Sequence, residues 1–173
     1  MTDAEASEPS MMERFAASSF EPVEFEGETV HAMYWAAVKA GDVVEVEWLS
    51  AASPRTQGVM LRLRKPGVTG KKGVGGTLAW EGNEGAAVRL WMDKSGPSTE
   101  VTCAEVAADA KLRITNVWVA PGGRVDEYLN NYGIKVEIVD DDTALLHCSD
   151  GIGQRPTFDD QIVRITLRRS RHG

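Results

Sequence analysis

Val59-Met60-Leu61-Arg62-Leu63-Arg64 is the stretch that decides the fold. Val59, Leu61 and Leu63 alternate with Met60, Arg62 and Arg64. Successive side chains of a strand point to opposite faces, so this pattern sets one row against a core and the other in water.

The same period of two recurs on both sides of it. Val44, Val46 and Trp48 alternate with Val43, Glu45 and Glu47, and Val88, Leu90 and Met92 with Ala87, Arg89 and Trp91. Leu112, Ile114, Asn116 and Trp118 alternate with Arg113, Thr115, Val117 and Val119. Ile134, Val136 and Ile138 alternate with Lys135, Glu137 and Val139, and Val163, Ile165 and Leu167 with Ile162, Arg164, Thr166 and Arg168. Weaker strands fit at Val23–Phe25, Thr77–Trp80, Glu100–Val106 and Ala144–Cys148. His31, Met33 and Trp35 alternate too, while Val30, Met33, Tyr34, Ala37 and Val38 follow helical spacing; Gly41-Asp42 tips this segment toward a strand. Pro66-Gly67, Gly75-Gly76, Ser95-Gly96-Pro97, Pro121-Gly122-Gly123 and Asp150-Gly151 supply the turns.

Many short strands joined by Gly/Pro turns predict an all-β fold, an antiparallel two-sheet β-sandwich of jelly-roll-like type. A short N-terminal helical arm precedes it. Ser10 and Glu13 match the capping box, and the helical turns they open present Met11, Met12 and Phe15 to the domain's own core or to a neighbouring subunit. The expected organisation is an arm over 1–19, one sandwich domain over 20–169 and a basic tail at 170–173. With 173 residues, the chain is long enough to fold around its own core.

Nineteen basic against 26 acidic residues leave a net charge of −7. That sign excludes a general nucleic-acid binder. The charge is nevertheless blocked. Residues 51–80 carry Arg55, Arg62, Arg64, Lys65, Lys71 and Lys72 and no acid, and residues 161–173 carry four arginines and no acid. These blocks either neutralise acidic ones within the fold or meet as a local patch. Met1–Pro9 has neither the basic start nor the apolar run of a secretory signal, and no apolar run is long enough to cross a bilayer. The expectation is a cytoplasmic protein with no membrane contact. Cys103 and Cys148 form no disulfide framework and read as small strand residues.

No catalytic constellation stands out. The glycine-rich stretch 66–76 lacks the Ser or Thr that completes a phosphate-binding loop, yet Lys71 and Lys72 beside freed backbone amides suit an anion. Trp91 shares the wet phase of Arg89, and Trp80 stands at a strand end. Tyr128 and Tyr132 flank an amide-rich turn of the sort found in adaptable binding loops. These six residues are the candidate ligand contacts. Asp140, Asp142, Asp150, Asp159 and Asp160 fall in turns that a sandwich can gather at one end, where carboxylates suit calcium. The expected function is a non-enzymatic binding or assembly module whose strand-end loops meet a protein or small-molecule ligand. Two alternatives are a small-molecule enzyme using His31, His147 and a carboxylate, and a homo-oligomer assembled through the N-terminal arm.

Overall fold

The computed structural model describes residues 8–153 and 155–171. Two antiparallel sheets pack face to face. The smaller holds β3 (Tyr34–Ala36), β5 (Gln57–Arg64), β8 (Ala87–Trp91), β10 (Lys111–Val119) and β11 (Val125–Asp126), in the order β11-β10-β5-β8 with β3 also paired to β10. The larger holds β4 (Val43–Ser50), β6 (Gly76–Trp80), β7 (Asn83–Gly85), β9 (Ser98–Val106), β12 (Asn131–Asp140), β13 (Thr143–Gly151) and β14 (Gln161–Arg168). Its order is β12-β13-β14-β4-β9-β6-β7. From β3 to β12 the chain changes sheet at most connections, which builds the sandwich.

The main core lies between the sheets and is filled by the predicted inward rows. Val44, Val46, Val59, Leu61, Leu63, Leu112, Ile114 and Leu146 are all fully buried. Cys103 and Cys148 are free thiols in this core. Burial first, and Asp42 second, push the Cys103 thiol up to about 12; burial first, with Asp160 second, pushes Cys148 up as well. Both are unreactive packing residues at neutral pH. Gln161 of β14 ties the sheets together. Its amide nitrogen donates to the Gly58 carbonyl at 2.7 Å, and its oxygen accepts from Trp48 Nε1 at 3.1 Å.

A second, smaller core sits beside the first. It is capped by α1 (Met11–Ala17) and by the hairpin of β1 (Val23–Phe25) and β2 (Glu28–Val30). The predicted capping box is formed, with Ser10 Oγ accepting from Glu13 N–H and Glu13 reaching back to Ser10. Met11 and Phe15 are buried with Val30, Trp118 and Tyr132. Met12 N–H donates to Asn130 O at 2.7 Å, and Met11 N–H to Asn131 Oδ1 at 3.1 Å. The arm therefore docks on its own domain. Met11 and Phe15 are buried there, and Met12 alone of the three is exposed.

Two phases depart from expectation. Thr115 and Val117 are on the wet row of β10 but are buried, and Glu127 leans over that row to accept from the Thr115 hydroxyl. Ile138 is on the inward row of β12 yet is 65% exposed: β12 is an edge strand of the larger sheet, and its last four residues are all exposed. The segment with two readings forms the short strand β3, preceded by a bridge from His31 to Ile134.

Candidate anion-binding face

Strand pairing in the smaller sheet gathers side chains that lie far apart in sequence. Its outward positions carry Trp35 from β3, Lys111 and Arg113 from β10, Met60, Arg62 and Arg64 from β5, and Arg89 and Trp91 from β8. In register, Lys111 stands opposite Arg64 and Arg113 opposite Arg62. Trp35 lies on the far side of Arg113, and Arg89 lies opposite Met60. The outward positions of these four strands thus hold five cations and no acid. Like charges directly opposite across strands repel, so two such pairs break a rule that sheets ordinarily obey.

One carboxylate from outside the strands relieves part of this. Glu127 accepts from Arg62 through both terminal nitrogens, at 2.8 and 2.7 Å. Burial works against the charge on Arg62, but the Glu127 hydrogen bonds and charge outweigh it and hold its pKa above the ordinary value. Arg113 has no such acid. Burial first, with Arg62 and Arg64 adding, pulls its pKa below the ordinary value against weaker support from Tyr128 and Glu127. Its Nε finds no hydrogen-bond partner among the described residues. Its guanidinium lies over the Trp35 ring at 5.8 Å, and Arg89 lies over Trp91 at the same distance. Gly58 makes room for the second pair: a Cβ there would come within 2.7 Å of the Trp91 ring.

Arg64 binds the glycine-rich loop to one end of this face. Its guanidinium donates to Gly70 O at 3.1 Å and to Val68 O at 3.0 Å. Lys71 and Lys72 are exposed on the short 3-10 turn Gly70–Gly73 of that loop. Of the six predicted ligand contacts, Trp91 stands on the face, and Lys71 and Lys72 extend it. Tyr128 lies at its inner margin beside Arg62 and Arg113, mostly buried, with burial first and Glu127 second raising its pKa. Trp80 packs half-buried at the end of β6 in the other sheet. Tyr132 is not available to a ligand: it is 1% exposed, with its ring 5.1 Å from that of Phe15.

The acidic turns do not converge. Asp140 and Asp142 close the β12–β13 hairpin, whereas Asp150 stands near the far end of β13, roughly 25 Å along the strand. Asp142 pairs with Arg169 at 2.9 Å. Asp150 is fully buried and accepts from Ser53 Oγ at 2.7 Å, Gln57 Nε2 at 3.2 Å and Ile152 N–H at 3.1 Å, with Arg55 at 3.5 Å. Asp160 accepts from Asp150 N–H and from the Thr157 hydroxyl, and the Asp159 carbonyl accepts from Ala52 N–H. Among the described residues no group of three or more His, Cys, Asp or Glu is placed to hold a metal ion. The calcium expectation required that convergence, and the run of β13 separates its two halves.

The two histidines are not brought together either. His31 is bridged to Ile134, and His147 is paired with Lys135. Ile134 and Lys135 are consecutive residues of β12 and face opposite ways, so the two rings lie on opposite faces of the sheet. His147 faces Glu137 at 3.2 Å.

None of the five cations was among the expected contacts; Arg62 and Arg64 were legible as part of a basic block, whereas Arg89, Lys111 and Arg113 were not singled out. Their outward phase is legible in the sequence, but their adjacency is not. The second basic block takes no part, because Arg164 pairs with Glu47 and Arg168 with Glu45 and Glu100 on the opposite face of the molecule. No protein-family model, curated protein or solved structure matches this chain.

Proposed function

We propose that this protein is a non-enzymatic binding module whose ligand is anionic and whose contact surface is the outward face of β3, β10, β5 and β8. The observation that carries this reading is the pair of like-charge cross-strand contacts, Lys111 with Arg64 and Arg113 with Arg62. Such pairs weaken a sheet, and Glu127 answers Arg62 but leaves Arg113 and Lys111 facing other cations; places where local rules are broken with incomplete compensation are characteristic of functional sites. An anion on the face supplies the missing compensation. The tryptophans beside the guanidiniums add flat apolar surface, so the face suits an anion that also carries a ring or an apolar body. The reading moves the binding surface from the strand-end loops to a sheet face and keeps Trp91, Lys71 and Lys72 within it.

The test uses the mismatch between local and net charge. A protein of pI about 5.0 is repelled on average by a sulfated matrix at pH 7.5. The full chain is expected to be retained on heparin resin at about 50 mM salt and to elute as salt rises. The double variant Arg89→Glu/Lys111→Glu, both exposed positions, is expected in the flow-through, while Arg168→Gln on the other sheet leaves retention unchanged. Passage of the wild-type chain through the resin unretained would sink the reading.

A further inference from the structure

At its Trp35–Lys111 corner the basic face opens into a cavity of about 280 Å³, whose walls include Phe20, His31, Met33, Trp35 and Lys111. Glu21 is the acid on its rim. The walls divide by chemistry. Trp35, Phe20 and Met33 offer two aromatic rings and a polarisable thioether. Lys111 is the lining cation, with Arg64 opposite it and Arg113 one outward position further along β10, over the Trp35 ring. His31 is fixed in place by backbone hydrogen bonds to Ile134 in both directions, at 2.8 and 2.9 Å. Burial lowers its pKa, so the ring is neutral at pH 7 and carries one donor and one acceptor.

Size and backbone narrow the ligand. At about 280 Å³ the cavity lies just under the roughly 300 Å³ lower end of small-molecule sites, so it holds no more than one ring system, with any substituent at the mouth. Phe20 and Ser19 both sit in the left-handed region, at φ 66° and 55°, where the end of α1 would most readily carry glycine. Phe20 is nevertheless aromatic and 51% exposed, held edge-on to Tyr128. A ring kept at a cavity rim on a costly backbone has a use there.

Resting on the reading of the face as anion-binding, we propose that the cavity takes a phosphorylated aromatic ring of the nucleotide class. The ring lies against Trp35, Met33 and Phe20, and His31 meets its polar edge. The phosphate lies on Lys111, supported by Arg64 and Arg113.

Titration calorimetry on the full chain tests this with AMP, ribose 5-phosphate and a ten-residue oligodeoxythymidylate as probes. AMP is expected to saturate in the sub-millimolar range, with ribose 5-phosphate weaker by roughly tenfold or more. Lys111→Ala weakens AMP by about tenfold. Phe20→Ala, at an exposed ring, and Trp35→Leu, verified as folded by melting, each remove the advantage of AMP over ribose 5-phosphate. Equal binding of those two probes to the wild type overturns the proposal, because the site would then read only the phosphate. Binding of the oligonucleotide without AMP overturns it in favour of a strand. No AMP binding with heparin retention intact overturns it while leaving the anion-binding face standing; loss of both takes the two readings together.

Discussion

Asp150 and Asp160 show at the level of single residues how similar acids are put to different uses. Asp150 is a fully buried acceptor for Ser53, Gln57, Ile152 N–H and Arg55. Removing it strands several donors at once. Asp150→Ala is therefore expected to destabilise the fold by about 2–4 kcal/mol in urea denaturation. Asp160 is half-exposed. Burial first, with the Asp150 charge adding, pushes its pKa up to about 6 against the hydrogen bonds that pull it down. An acid whose folded pKa is raised is bound to its proton more tightly in the native state. Its contribution favours the fold at low pH and is lost as pH rises through about 6. Asp160→Asn is expected to abolish this loss, which runs between about pH 4 and 6, a change of about 1 kcal/mol or less at a half-exposed site. An unchanged pH profile in the variant would refute the assignment. The sequence marked both residues as turn acids, but only burial separates the structural anchor from the titrating group.

Among elements, α1 has a readable start and a hidden destination. Ser10 and Glu13 announce the cap three residues apart, and the cap is present. Ser10→Ala is expected to cost about 1 kcal/mol, and Phe15→Ala about 3–5 kcal/mol, since the ring is fully buried against Tyr132. Both are measured by chemical denaturation. Removal of residues 1–19 is expected to lower the melting temperature and expose Tyr132 and Trp118. Intact melting after truncation would contradict the docked arm. Gly58 makes the matching point for strands. It occupies an outward position where a Cβ would meet Leu90 O at 2.5 Å and the Trp91 ring at 2.7 Å. Gly58→Val is expected to lift Trp91 from the sheet, shift its fluorescence and weaken heparin retention.

Across the whole molecule, the two outer faces manage charge differently. On the larger sheet, Arg164 and Arg168 find Glu47 and Glu45 on the adjacent strand β4, and Arg168 also reaches Glu100 on β9. On the smaller sheet the cations stand opposite one another, and Glu127 answers Arg62 from beyond the strands. A net charge of −7 therefore coexists with a locally positive surface. Retention on heparin is expected to fall steeply between about 50 and 200 mM salt, because these groups are partly solvated and screened. Salt-independent retention would point to apolar adsorption instead.

The sequence by itself determined the long strands and most of their phase, because alternation is a local property of a pleated chain: Leu61 must face away from Arg62 wherever β5 is placed. It also determined the helix cap, since Ser10 and Glu13 act across a single turn. Only the tertiary structure decided which strands are neighbours. That set Arg62 beside Arg113, joined Trp35 to Lys111 around one cavity, buried Tyr132 under Phe15, and sent Asp140 and Asp150 to opposite ends of β13. Pairing is chosen by the burial of whole sheet faces against each other, an energy summed over many residues that no single spacing encodes.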